Sequence, residues 1–191
     1  NQFTANNSEI VSSGKYDAKV VDGKILFNGN LYDAIEFSGP NSSESEFTIE
    51  NGIIGVNFHW ERKENQRFAG NLKLIIENNK LTAINILPLE IYLASVISSE
   101  MSATSSLELL KAHAVISRSW LMAQIDKNEK IISSEYKTHF ESDDATIRWY
   151  DREDHENFDV CADDHCQRYQ GITRQTTDTV QEVIDMTRGE V

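Results

Sequence analysis

Residues 86–127 read ILPLEIYLASVISSEMSATSSLELLKAHAVISRSWLMAQIDK and predict two helices joined by a short polar turn. Pro88 suits the first turn of the first helix, where its missing N–H would lack a partner anyway. The apolar stripe of this helix comprises Leu89, Leu93, Val96 and Ile97. Glu100 follows Val96 by four residues and Ile97 by three, so we expect its carboxylate at the end of the stripe that faces the core.

The second helix is expected to start at Thr104 or Ser105. Ser105 and Glu108 have the spacing of a capping box, in which each side chain satisfies a backbone N–H of the first turn. The predicted buried stripe of this helix comprises Leu107, Leu110, Ala114, Leu121 and Ile125. Arg118 interrupts the stripe, and we therefore expect its side chain to lean toward the interior.

Glu100 has two interpretations. A carboxylate on an apolar stripe is commonly part of an ion pair or lies at a helix end. It can also be a general acid whose pKa burial raises. Direct contact with Arg118 would lower that pKa. We predict that Arg118 is buried and paired. If its partner is a carboxylate other than Glu100, such as Glu90 or Glu108, Glu100 remains available for protonation.

The composition limits the class of partner. The chain has 191 residues, enough for one domain, and we treat residues 1–191 as a single domain. Its 18 basic and 31 acidic residues give a net charge of −13, which argues against a nucleic-acid partner and against docking on an anionic membrane. No apolar run approaches the roughly 20 residues of a membrane span. No signal peptide is visible, and the polar start NQFTANNSE is typical of a mature or trimmed terminus.

The first 87 residues are predicted to be β-rich. Short apolar runs are separated by pairs that favour hairpin turns, which are Asp22-Gly23, Asn28-Gly29, Asn51-Gly52 and Asn78-Asn79. Phe58, Trp60 and Phe68 could form an aromatic platform for sugar rings. Core packing is the better interpretation, because Phe58 and Trp60 alternate as the residues of one strand face do.

A second candidate site lies at residues 155–171, HENFDVCADDHCQRYQG, after a polar and irregular stretch at 128–160. An irregular stretch of that length inside a domain is often functional. The four side chains of His155, Cys161, His165 and Cys166 suit a tetrahedral zinc ion, although their spacing is not that of a zinc finger. A Cys161–Cys166 disulfide in an oxidising compartment is the alternative, and the residue types alone leave both open.

Both segments resemble the SpoIID/LytB family, named after stage II sporulation protein D. The first segment carries that resemblance at Asn85, Leu87–Glu90, Tyr92-Leu93, Val96, Glu100-Met101, Lys111–Ala114 and Ser117–Trp120. It departs from the family pattern in having His113 for the usual Gln and Ser-Arg-Ser-Trp for Ala-Arg-Thr-Tyr. The second segment matches the pattern Cys161-x4-Cys166-Gln167-x-Tyr169-x-Gly171.

The resemblance implies a peptidoglycan lytic transglycosylase, which cuts the β-1,4 bond between N-acetylmuramic acid and N-acetylglucosamine and forms a 1,6-anhydro sugar. Glu100 would be the single acid/base, because the 6-hydroxyl of the sugar itself attacks and no second carboxylate is needed. The expected substrate-binding residues are Lys111, Arg118, Gln167 and Tyr169. Glycan stripped of its peptides is the implied substrate, and Lys111 and Arg118 are candidates for binding its oxygens or its lactyl carboxylate.

The resemblance also favours a structural zinc ion over the disulfide, held by His155, Cys161, His165 and Cys166. It implies an extracytoplasmic location, in the periplasm or cell envelope, with any signal or anchor segment outside this sequence. The family normally continues with further strands, so we expect a truncated C-terminal part.

Taken together, these patterns predict an α+β fold. Its antiparallel β-rich part spans residues 1–87, and residues 88–191 contain the helix pair and the loop-rich segment held by a metal or a disulfide. A non-catalytic glycan-binding module, or an enhancer of a cell-wall amidase, is the alternative function. A metallohydrolase is disfavoured, because four protein ligands leave no open position for water.

Overall fold

The computed structural model combines antiparallel sheets with helices and confirms the predicted α+β class. The structure describes residues 2–6, 8–41, 44–55, 59–132, 139–148, 155–162, 165–175 and 177–191. Within these ranges, only the backbone is described for residues 128–132, 139–140 and 147–148.

The N-terminal part is β-rich, as predicted. Its strands are β1 Phe3–Ala5, β2 Glu9–Val11, β3 Ala18–Val21, β4 Lys24–Phe27, β5 Asn30–Tyr32, β6 Ile35–Ser38, β7 Glu46–Ile54, β8 Arg62–Ala69, β9 Asn71–Glu77 and β10 Lys80–Ile86. One sheet has the order β10-β9-β6-β1-β2, a second has β3-β4-β5, and β7 pairs with β8. This part has its own hydrophobic core, which consists of Ala5, Ile25, Phe27, Ile35, Phe37 and Leu74.

Three of the four predicted turns are confirmed. Asp22-Gly23 joins β3 to β4 and Asn28-Gly29 joins β4 to β5. Asn78 and Asn79 join β9 to β10 with φ of 49° and 60°, the backbone that a two-residue hairpin requires. The prediction of a turn at Asn51-Gly52 is wrong, because strand β7 continues through these two residues. Asn51, with φ of 54°, lies where the register with β8 shifts, so its left-handed backbone forms a bulge.

The three helices in the described ranges enclose a second core. Helix α1, Leu89–Glu100, is buried at every residue from Tyr92 to Ser98, so it is surrounded by other elements. Helix α2 spans Leu107–Ile132, and its predicted stripe is buried or partly buried. Helix α3, Thr179–Met186, contributes the fully buried side chains of Val180, Val183 and Ile184. None of the helices in the described residues is long and apolar enough to cross a membrane.

The start of α2 differs from the prediction. The helix begins at Leu107, and the carbonyl of Ser106 accepts its first hydrogen bond from the N–H of Leu110 at 3.1 Å. The predicted capping box is wrong, because Glu108 pairs with Lys111 at 2.9 Å instead of reaching back to Ser105.

The predicted irregular stretch at 128–160 is only partly correct. Helix α2 continues to Ile132, and two short strands, β11 His139–Glu141 and β12 Thr146–Arg148, form a hairpin. Residues 133–138 and 149–154 lie outside the described residues. The assignment of residues 1–191 to one domain stays a prediction.

Candidate active site and metal centre

Glu100, the last residue of α1, lies where the helix pair meets the segment around residue 168. Its side chain is 30% exposed. One carboxylate oxygen, Oε2, lies 2.9 Å from Nε2 of His113 on α2. The other, Oε1, accepts the backbone N–H of Arg168 at 3.0 Å. Two elements distant in the sequence therefore orient one carboxylate that still reaches solvent.

The expectation that burial raises the pKa of Glu100 is wrong. The hydrogen bond from His113 is the largest influence and lowers that pKa below its usual value. Partial burial raises it, but the N–H of Arg168 and the electrostatic influence of His113 and Arg168 lower it further. Hydrogen bonds to the charged form thus outweigh desolvation, and the ligand-free site holds Glu100 as an anion at neutral pH.

His113 is nearly enclosed, with 12% of its side chain exposed. Its second ring nitrogen, Nδ1, is buried and has no hydrogen-bond partner within the described part of the chain. The tautomer with its proton on Nε2 fits this environment, because a proton on Nδ1 would leave a buried donor unsatisfied. We assign Nε2–H as the donor to Glu100 on that ground. In the sequence His113 is noticeable only as a departure from the family's usual Gln.

Arg168 is a site residue that the sequence analysis missed. Its guanidinium carbon lies 5.2 Å from the ring centroid of Trp60, in the connection between β7 and β8. No sequence pattern indicates that the N–H of Arg168 binds Glu100, since a backbone N–H is common to almost every residue type.

The three aromatic residues considered as a sugar platform can be placed only in part, because Phe58 lies outside the described residues. Phe68 is buried and stacks on Phe47, as the core interpretation predicts.

The prediction that Arg118 is buried and paired is confirmed, and its partner is Glu90, one of the two carboxylates considered. The side chain of Arg118 is 3% exposed, and its Nε and Nη2 donate to the two carboxylate oxygens of Glu90 at 3.1 and 2.8 Å. Further donors reach the carbonyl of Glu190 at 2.9 Å and the hydroxyl of Thr187 at 3.4 Å. These contacts join α1 and α2 to the residues after α3, and they leave the expected glycan-binding role of Arg118 without support.

Gln167 and Tyr169, the other two predicted substrate-binding residues, are both buried. The hydroxyl of Tyr92 donates to Oε1 of Gln167 at 3.2 Å, and Nε2 of Gln167 donates to the carbonyl of Ser117 at 3.3 Å. The hydroxyl of Tyr169 donates to Oδ1 of Asn85, and its ring stacks on Tyr92. Burial raises the pKa of Tyr169, which keeps the phenol protonated. The two side chains therefore attach residues 167–169 to α1, α2 and β10.

Lys111 is the remaining predicted substrate-binding residue. Its side chain is 29% exposed, and its ammonium group donates to Glu108 at 2.9 Å. A role in glycan binding stays a prediction for this lysine.

The four predicted metal ligands come together. Their ligand atoms lie within 4.8 Å of one another. Sγ of Cys166 lies 3.4 Å from Nε2 of His155 and 3.5 Å from Nδ1 of His165, and Sγ of Cys161 lies 3.9 Å from the same Nδ1. The cysteines are not joined in a disulfide. The cluster could therefore hold a metal ion, and it lies directly before Gln167 and Arg168 in the chain.

Comparison with known proteins gives one match. The sequence model of the family SpoIID, described as stage II sporulation protein, matches residues 77–191, three-fifths of the chain. The match starts at the end of β9 and includes the helix pair, Glu100 and the metal-ligand cluster. No curated protein and no solved structure matches the chain.

The contact between His113 and Glu100 predicts how one substitution changes the pKa of the carboxyl. In His113→Leu the pKa of Glu100 should rise, because the largest lowering influence is lost and desolvation remains. His113→Gln retains an N–H donor and should keep the pKa low. The titration of the Glu100 carboxyl carbon by NMR, assigned from its loss in Glu100→Gln, measures both.

The same contact predicts a pH dependence of stability. A lowered pKa contributes stability that is present above the unfolded value of about 4.3 and is lost as the pH falls through the folded value. His113→Leu should therefore be less stable than the wild type at pH 7, and the difference should shrink in acid. An unchanged Glu100 pKa in His113→Leu would contradict the assigned hydrogen bond.

Proposed function

The chain belongs to the SpoIID family, which is associated with sporulation and with lysis of the cell wall, and on that premise we propose that it is a peptidoglycan lytic transglycosylase. The proposed reaction cuts the β-1,4 bond between N-acetylmuramic acid and N-acetylglucosamine in peptide-free glycan strands. The observation that carries the proposal is the geometry of Glu100. This carboxylate reaches solvent, and donors on two other elements hold its two oxygens.

The reaction needs one carboxyl group. Glu100 donates its proton to the glycosidic oxygen while the bond from that oxygen to C1 of the muramic acid breaks and its electron pair stays on the oxygen. The 6-hydroxyl of the same sugar forms the new bond to C1. Its proton goes to Glu100, which returns to its protonated form, and no water is consumed. Glycosidases that use water need a second carboxyl group for the other face of the ring.

Glu100 must be protonated when the glycan is bound, although it is an anion in the ligand-free site. A sugar that covers the exposed part of the side chain removes its water, which raises the pKa of the carboxyl. Nε2 of His113 contacts the carboxylate of Glu100 at 2.9 Å. The N–H donors of His113 and Arg168 then stabilise the carboxylate that forms when the proton leaves.

We propose that the metal at the four-residue cluster is zinc and that its role is structural. Tetrahedral zinc with bonds of about 2.3 Å to sulfur and 2.0–2.1 Å to nitrogen separates S and N ligands by about 3.6 Å. The sulfur–nitrogen distances of 3.4, 3.5 and 3.9 Å agree with this value. Four protein ligands complete the coordination of zinc, so the ion would cross-link residues 155–166 and fix the segment that carries Arg168.

The proposed location follows from the substrate. Peptidoglycan lies outside the cytoplasmic membrane, so we place the protein in the periplasm or cell envelope. Its partner there is the glycan strand.

The proposed reaction predicts the effect of replacing the acid. On peptide-free glycan, Glu100→Gln should lower kcat on the order of a thousandfold or more, because the amide cannot donate a proton to the leaving oxygen. The Kd for glycan should change only a few-fold, because glutamine keeps the shape of glutamate. Mass spectrometry of anhydro-muramyl ends measures turnover. Glu182→Gln, which makes the same change at an exposed position on α3, should retain activity.

Two results would contradict the proposal. Turnover close to that of the wild type in Glu100→Gln would remove Glu100 from the mechanism. A wild-type protein that binds glycan but forms no anhydro ends would favour the binding-module alternative.

The proposed zinc site predicts one zinc ion per chain by elemental analysis. Chelation should lower the Tm, because an ion that binds only the folded state stabilises it. Hydrogen exchange should increase first in residues 155–171, while the β9–β10 hairpin in the other core serves as the internal control. A disulfide forms with the loss of two hydrogens. A mass about 2 Da below that of the reduced chain would therefore indicate a Cys161–Cys166 bond instead.

A further inference from the structure

Arg168 differs from the other arginines whose side chains are described. Each of those pairs with a carboxylate, and the pairs are Arg62–Glu64, Arg67–Glu46, Arg118–Glu90, Arg174–Glu64 and Arg188–Asp185. The guanidinium of Arg168 forms no such pair with a described residue, and its buried Nε has no hydrogen-bond partner there. In a chain with a net charge of −13, an arginine that has no carboxylate partner in the described part of the chain needs an explanation.

The indole ring of Trp60 contacts this guanidinium but has no negative charge that would neutralise it. The distance of 5.2 Å from the guanidinium carbon to the ring centroid is within the range of a cation–π contact. The ring in turn packs on the backbone, because a Cβ at Gly55 would lie 2.3 Å from its atoms. An aromatic face attracts the charge but accepts none of the N–H groups in the plane of the guanidinium. The terminal N–H groups of Arg168, which have no hydrogen-bond partner among the described residues, thus remain available to a ligand.

The position of Arg168 places these donors beside the proposed acid. Its backbone N–H binds Oε1 of Glu100, and the nitrogen of His113 lies at Oε2. The guanidinium makes no hydrogen bond to that carboxylate. An anionic group on a sugar bound at Glu100 would therefore meet a cation that is already oriented and not paired.

We propose that Arg168, positioned by Trp60, binds the lactyl carboxylate of the muramic acid whose C1–oxygen bond is cut. The inference rests on the proposed function and names the residue that distinguishes peptide-free glycan from peptide-bearing glycan. The lactyl group ends in a carboxylate when the peptide is absent and in an amide when the peptide is attached. A guanidinium binds a carboxylate through two parallel hydrogen bonds and an amide only weakly. Arg118 suits this role less well, because its side chain is buried and paired with Glu90.

The test compares two forms of one glycan fragment, the first with free lactyl carboxylates and the second with each carboxylate converted to its N-methylamide. The wild type should prefer the first form in kcat/KM. Arg168→Gln should lower kcat/KM for the carboxylate form by about 10- to 100-fold, as expected for a hydrogen bond to a charged group. Its kcat/KM for the amide form should fall less, so the ratio of the two kcat/KM values should fall. Arg168→Lys should recover part of the preference, since it restores the charge without the planar fork.

Two further variants separate binding from folding and from net charge. Trp60→Leu should reduce the preference for the carboxylate form, because the guanidinium loses its support. Arg188→Gln removes the same charge from an exposed arginine paired with Asp185 and should leave the preference unchanged. The Tm of each variant reports whether it is folded.

The Kd of both glycan forms is also measured by calorimetry in the Glu100→Gln background, where bond cleavage does not intervene. Loss of the carboxylate preference on adding Arg168→Gln supports the inference even if the wild type forms no anhydro product, in which case only the proposed reaction fails. A carboxylate preference that persists in Arg168→Gln overturns the inference. Equal weakening of both forms also overturns it, because Arg168 then does not distinguish them.

Discussion

Buried hydrogen bonds hold residues 165–173 against the helices and strands, and the proposed site depends on them. Gln167 lies between the hydroxyl of Tyr92 on α1 and the carbonyl of Ser117 on α2. The hydroxyl of Ser95 accepts the N–H of Gln170 at 3.3 Å. An unpaired polar group at such depth costs about 1–3 kcal/mol, so a shift of the segment by one residue would be strongly unfavourable. The N–H and guanidinium of Arg168 are thereby fixed beside Glu100.

Gly171 allows this segment to join the β-rich part. Its φ is 58°, and a Cβ at this position would lie 2.1 Å from the carbonyl oxygen of Arg67. The N–H of Ile172 donates to that same carbonyl at 2.8 Å, and the N–H of Arg67 donates to the hydroxyl of Thr173 at 2.8 Å. The close approach therefore requires glycine for its backbone angle and for its lack of a side chain. The metal-ligand cluster would anchor the other end of the segment.

Local rules predicted the features that depend on neighbours in the sequence. The turn at Asn78-Asn79 and the buried stripe of α2 belong to this group. The pairing of Arg118 was also predictable, because a charged side chain on an apolar stripe must find a partner. Asn51 shows the limit of such rules, since the same left-handed backbone serves a turn or a bulge and only the pairing of β7 with β8 decides.

The pKa of Glu100 shows a second limit of sequence reasoning. Its position on the helix predicted burial, but the two donors that lower the pKa come from α2 and from residue 168. One of these donors is a backbone N–H, which no residue type indicates. The positioning of Arg168 by Trp60 depends on a contact across more than one hundred residues and was invisible for the same reason.

The central claim is that one carboxyl group directs the attack of the sugar's own hydroxyl, so that water takes no part in bond cleavage. Digestion of peptide-free glycan in water enriched in oxygen-18, followed by mass spectrometry of the new ends, tests this directly. The new muramic-acid ends should contain no oxygen-18 and should be one water molecule lighter than hydrolysed ends. Incorporation of one oxygen-18 atom at each new end would contradict it.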